Sequence, residues 1–458
     1  MAIKSKNNIL KISESNVFHR RLDYEYPVIA HGKGIYLYDE KGKKYIDGVG
    51  GALVANIGHG IKEIAEKIGK LAEKIDYLHA AQFTTRHMEE YAGELCKIVP
   101  KGLNKVYFVS GGSEAVETSI KLARQYHYDL GNKRKYKIIF TKPSYHGSTI
   151  LALSVTGKSA FRKIQQPYLL KFPSILSYSS YRCPHNKNYQ SCKADCAYEL
   201  EKIIKKNNPD TVAAFIVEPM VGASAGALIP PKGYFKIIRK ICDKYNILLI
   251  VDEVMTGFGR TGKWFACEHF NLVPDILIAG KGISGGFVPL AAVFCKNKIY
   301  KTIKDGSGNF SHGFTFANNA FTTGVGKIVL EYLKKNNLVE ECAGKGRYLL
   351  SRLNSLAKFD IVGDVRGKGL MTAVEFVKNK KTKEPFSRNV HLAEKILQTA
   401  QKKGLILYFC IGFVDGMNGD AVMVAPPFNV TKKEIDEIVN IFSETISEVR
   451  DSLKIIKT

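Results

Sequence analysis

An α/β fold is predicted, with a mainly parallel sheet flanked by helices and a smaller α+β part made of both chain ends. Three observations carry this expectation. Between about residues 60 and 340, short apolar runs alternate with helix-like segments, the pattern of a parallel sheet covered on both faces. Before and after that stretch the pattern changes, first to a hairpin and finally to helix, short strand, helix. The length of 458 residues, 45% of them hydrophobic and 24% charged, suffices for a large core in two or three domains.

Taken in order, residues 35–58 alternate apolar and polar positions around a Glu40–Gly42 turn, which predicts the hairpin. Strands are expected at Val106–Val109, Lys137–Phe140, Val212–Val217, Ile247–Val251, Ile276–Ala279 and Ala291–Phe294. Helices are expected between them, at Ser113–Tyr128 and Tyr234–Tyr245 for example. The last helix opens with Thr431 and Glu434 spaced as a capping box, followed by Ile435, Ile438, Val439 and Phe442. The expected division is residues 1–70 and 341–458 for the two parts of the small domain and 71–340 for the large one.

Lys+Arg 68 against Asp+Glu 43 gives a net charge of +25, which can attract polyanions. The lysines are scattered, however, in short groups such as Lys205–Lys206, Lys334–Lys335 and Lys380–Lys381, with no basic tail and no arginine cluster. A solvated basic surface is expected, and a nucleic-acid binder is the distant alternative. No run approaches the ~20 apolar residues of a membrane span. The start has lysines but no apolar leader, and nine unevenly spread cysteines do not suggest a disulfide framework. These features predict a cytoplasmic protein with reduced thiols and no membrane partner.

The residues that carry chemistry cluster at strand ends. Asp252 follows the buried run Ile247–Val251, and Lys281 follows Ile276–Ala279 between Gly280 and Gly282. Open α/β sheets collect ligands at the carboxyl ends of their strands, so a carboxylate and an amine point toward one crevice. Strand Val106–Val109, the turn Ser110–Ser113 and the helix after it offer free N–H groups, a positive dipole end and the Ser113 hydroxyl to a phosphate. Tyr145 and His146 supply an aromatic face. Pyridoxal phosphate needs all four: an amine for its aldehyde, a carboxylate for its ring nitrogen, an anion nest and faces for its ring. Lys281, Asp252, Gly112–Ser113 and Tyr145 suit those roles, with Val254 on the opposite face.

These segments resemble the class III aminotransferases, pyridoxal-phosphate enzymes of fold type I. The resemblance spans nearly the whole chain: YLYDEKGKKYIDGVGG with GHG at 58–60, SGGSEAVETSIKLAR at 110–124, SYHGST at 144–149 and VEPMVG at 217–222. It continues through VDEVMTGFGRTG, PDILIAGKGISGG, HGFTFANNA at 312–320, VRGKGL at 365–370 and APP at 425–427. It implies that Lys281 carries the cofactor and shuttles a proton, and that Asp252 pairs with the pyridinium. It further implies that Tyr145 and Val254 flank the ring, that His146 belongs to the cofactor site, that Gly112 and Ser113 hold the phosphate, and that Glu218 lies near the cofactor. Thr315 would reach that phosphate from the other subunit, implying a homodimer with shared sites; further pairing into a tetramer is left open.

Substrate choice is where the chain departs from the family. Arginines that clamp substrate carboxylates in different members are replaced by Ser148, Met423 and Tyr408. Arg182 and Arg260 are unranked alternatives, and Arg366 reads as structural. The expected activity is amino transfer from an ω-amino acid or amine to pyruvate or 2-oxoglutarate by a ping-pong route, with an aminomutase, racemase or decarboxylating transaminase as the alternative. Cys183, His185, Cys192 and Cys196 fall outside the family pattern. Their C-x8-C-x3-C spacing lacks a CxxC knuckle, so packing rather than a metal is expected.

Overall fold

A computed structural model describes residues 9–10, 15–183, 185 and 192–455. Seven strands build the central sheet: β1 Leu103–Val109, β2 Lys137–Lys142, β3 Ser174–Leu176, β4 Val212–Val217, β5 Leu248–Glu253, β6 Ile276–Ala279 and β7 Ala291–Lys296. Their order is β1-β7-β6-β5-β4-β2-β3. All run parallel except β7, which is antiparallel to both β6 and β1. The exception has a local cause. Only eleven residues, 280–290, connect β6 to β7, with no helix long enough for a parallel crossover.

β4 and β5 are buried along their whole length, as expected of strands with helices on both faces. Gly112–Asp129 packs across the sheet and buries Val116, Ile120 and Ala123 against Ile138, Ile250 and Ile278. On the other face, Ile139, Phe215, Leu249 and Leu277 join a core that continues through Tyr234–Lys244 into the C-terminal helix Lys432–Ile455.

The early hairpin forms as expected, Tyr36–Asp39 pairing antiparallel with Lys44–Asp47. It gains Ile29–Lys33 on one side and, in parallel, Leu405–Ile406 on the other, so segments 360 residues apart share one sheet. A second four-stranded sheet joins Val362–Lys368, Met371–Phe376, Asp420–Val424 and Tyr408–Ile411, all antiparallel. The capping box is reciprocal: Thr431 N donates to Glu434 Oε2 at 2.7 Å, and Glu434 N donates to Thr431 Oγ1 at 3.2 Å. Among the described residues no helix is long and apolar enough to cross a membrane. The opening stretch, read above as lacking an apolar leader, lies outside the described residues except Ile9–Leu10.

Candidate active site

A cavity of about 290 Å³ opens at the carboxyl ends of β1, β5 and β6, near the lower end of the roughly 300–1,000 Å³ usual for small-molecule pockets. Gly112, Ser113, Tyr145, His146, Glu218, Asp252, Val254 and Lys281 all line it. The structure thus brings together every sequence-predicted site residue except Thr315. That threonine is exposed on a separate concave surface with Tyr77 and His312, where its carbonyl accepts a hydrogen bond from Tyr77 Oη at 3.2 Å.

Asp252 is held at both oxygens. Oδ1 accepts from Val254 N at 3.0 Å, and Oδ2 lies 2.7 Å from His146 Nδ1. His146 is itself buried, its backbone N–H donating to Thr156 Oγ1 at 2.9 Å, and its ring Nε2 has no partner among the described residues. The sequence grouped Tyr145 and His146 as one aromatic face; the structure separates them, with the imidazole serving the carboxylate. Thr156 was not legible, since a threonine ten residues beyond its partner in a different turn leaves no local signal.

Lys281 ends an extended Gly280 and takes a left-handed conformation, φ +48°. That strain is unusual away from glycine and clusters at functional sites. Burial brings its amine down to about 8, opposed by the nearby carboxylates of Asp252 and Glu218 and assisted by Arg260. Glu218, directly after β4, accepts from Tyr145 N at 3.0 Å and Gly222 N at 2.9 Å. Its burial outweighs those bonds and pushes its carboxyl up to about 7.

The other end of the cavity is a helix start. Gly111 caps Gly112–Asp129 in extended conformation, and the first-turn acid, Glu114, turns back to accept from Ser110 N at 2.8 Å, leaving the first-turn amides to another anion. Space is tight there. A Cβ on Gly112 would lie 3.1 Å from Val254 Cγ1, and one on Gly147, at φ +133°, would lie 2.5 Å from Ser113 Oγ. Ser113 Oγ in turn accepts from Ser148 N at 3.0 Å. An anion nest, an amine, a fixed carboxylate and an aromatic side chain around one cavity fit pyridoxal phosphate.

The arginines considered for a substrate carboxylate are engaged elsewhere. Arg182 donates to Glu375 Oε1 at 2.6 Å. Arg366 binds Asp364 and Glu375 and the carbonyls of Gly226 and Ala225. Arg260 is 1% exposed and donates to the carbonyls of Leu370, Ala425 and Pro426 at 2.7–3.2 Å, with Phe428 4.7 Å beneath. None lines the cavity. The cysteine segment falls partly on residues 184 and 186–191, outside the described residues; Cys183, Cys192 and Cys196 are free thiols, and no metal-binding group occurs among the described residues.

Residues 19–446 match the family described as "Aminotransferase class-III". The chain is 38% identical to the uncharacterized aminotransferase YodT of Bacillus subtilis over 436 residues, covering 94% of this chain and 98% of that one. It superposes on an (S)-enantioselective omega-transaminase from Thermomicrobium roseum with TM-score 0.90 at 34% identity, covering 96% and 97% of the two chains. An omega transaminase from Pseudomonas jessenii in complex with PMP matches with TM-score 0.90 at 31% identity over 96% and 97%. The chain therefore belongs to the class III aminotransferases and is a pyridoxal-phosphate-dependent enzyme.

Proposed function

We propose that this enzyme moves an amino group from an ω-amino acid or amine to a keto acid, pyruvate or 2-oxoglutarate, in two half-reactions. The observation that carries the reading is the convergence of Lys281, Asp252, Glu218 and the Gly112–Ser113 helix start on one cavity. Its likeness to omega-transaminases supports the donor class.

Bound pyridoxal phosphate supplies an electron-poor ring that acidifies the donor's C–H bond. The rest is work for the chain's own residues. Lys281 Nζ would hold the cofactor and, when freed by the donor, would carry a proton from the donor carbon to the cofactor's C4′; an amine near 8 can both accept and release a proton around neutral pH. Asp252, oriented by His146 and Val254 N, keeps the ring nitrogen protonated. Gly112 and Ser113 grip the phosphate, Tyr145 and Val254 pack the two ring faces, and Glu218 fixes the backbone of Tyr145. Thr315 completes the phosphate site of a second copy, making the working unit a homodimer; its exposed position is consistent with that role. Nine free thiols suit the cytoplasm.

The test is a donor screen with pyruvate and 2-oxoglutarate in parallel. A new amino acid formed from the keto acid is expected. Isomerised donor, or CO2 without a new amino acid, overturns the reading.

A further inference from the structure

A carboxylated substrate needs a cation, and the three arginines considered for that task are committed elsewhere. Lys158 is a cation placed beside the cavity. It follows Gly157 in the turn after Thr156, the residue that holds His146. Its Nζ donates to Ala223 O at 3.3 Å, and Ala223 lines the cavity. The ammonium also lies 5.0 Å from the Phe161 ring centroid, and Phe161 in turn lies 5.7 Å from Tyr145.

No carboxylate lies within ion-pair distance of Lys158 among the described residues, although Glu218 is close enough to act on it electrostatically. One carbonyl contact leaves donors of the ammonium to spare. Such a group, half buried beside an aromatic wall, is desolvated at a cost that an arriving anion would offset. Met255 gives the cavity an apolar wall, backed by the buried Met220, Met371 and Met423, with Tyr145 and Tyr408 packed against the same cluster.

We infer that Lys158 Nζ is the cation that receives the substrate carboxylate, so that the donor is an ω-amino acid spanning from Lys281 to Lys158. The identity of the donor rests on the amino-transfer reading above. Carboxylate binding itself does not.

The experiment uses cofactor-loaded wild type, Lys158→Met and Lys158→Arg, titrated calorimetrically with pentanoate and with its uncharged isostere pentanamide. Pentanoate binding is expected to weaken roughly 10- to 100-fold in Lys158→Met, the size of a lost charged hydrogen bond, and to be largely restored in Lys158→Arg, with pentanamide unchanged throughout. Equal pentanoate binding by wild type and Lys158→Met, or parallel weakening of acid and amide, overturns the inference. Should the methionine variant lose its cofactor, Lys158→Gln, which retains a donor toward Ala223 O, is measured under the same two criteria. An enzyme that binds pentanoate through Lys158 yet transfers no amino group from any ω-amino acid would overturn the amino-transfer reading and leave the carboxylate site standing.

Discussion

His146 Nδ1 stands 2.7 Å from Asp252 Oδ2, and both side chains are buried. A carboxylate in that setting is fixed in direction before any ligand arrives, because its second oxygen is tied to Val254 N at 3.0 Å. His146→Phe keeps the ring's bulk and removes the bond. The donor half-reaction is expected to slow roughly 10- to 100-fold, matching the loss of one buried charge-assisted hydrogen bond. Stopped-flow absorbance with excess donor checks it; an unchanged rate would reduce the pair to packing.

The backbone packed against Ser113 leaves no room for a side chain at Gly147. Gly147→Ala sets a Cβ 2.5 Å from Ser113 Oγ at a backbone angle of φ +133°. Strain of about 1–3 kcal/mol adds to that collision. The variant is expected to release its cofactor at least tenfold more readily, as followed by dialysis and absorbance, whereas Gly69→Ala, where a Cβ meets nothing within 4 Å, is expected to behave as wild type.

Cofactor capture by the apoenzyme depends on a neutral Lys281 amine. Burial sets its pKa at about 8 rather than the ordinary 10.5. The capture rate is therefore expected to rise with pH, about tenfold per unit below 8, and to level off above it. Asp252 raises this amine's pKa, so Asp252→Asn is expected to move the midpoint to lower pH. A midpoint near 10 in wild type would show that the amine is not desolvated.

Glu218 titrates near 7 in the fold against an ordinary 4.5. The folded state holds that proton more tightly than the unfolded chain, so its stabilising effect is complete below pH 4.5 and is lost as pH rises to 7. Glu218→Gln is expected to flatten this part of the stability profile of the apoenzyme, read as Tm against pH. An identical slope in the variant would assign the effect to other groups.

Arg260 ties the turn after β5 to the carbonyls of Leu370, Ala425 and Pro426. Arg260→Met leaves those acceptors unpaired, at an expected cost of about 3 kcal/mol or more. Arg260→Lys is expected to recover little, since a point charge lacks the planar fork and its stacking on Phe428. Urea denaturation of the apoenzymes measures both.

Much of the fold was legible because burial leaves a plain pattern. β4 and β6 fall at the expected residues, and β5, written as Ile247–Val251, runs Leu248–Glu253, so that Asp252 is the strand's penultimate residue rather than the one beyond it. β3 was not legible: three residues at the sheet edge, with Leu176 exposed, carry too little apolar periodicity. The reversal of β7 was written only in a short connection, and the pairing of Leu405–Ile406 with Lys44–Asp47 leaves no local trace at all. In the cavity, Lys281 and Asp252 could be placed because strand ends position them. Lys158 could not, since its significance comes from Ala223, Phe161 and the prior engagement of Arg182, Arg260 and Arg366.

The most direct measurement is the absorbance and turnover of purified Lys281→Ala beside wild type. The variant is expected to lose the visible band of a lysine-bound cofactor and to lose activity by at least the 10²- to 10⁴-fold typical of a missing acid–base group. Turnover equal to wild type, or a wild-type preparation with no bound chromophore, would contradict a lysine tether at this position.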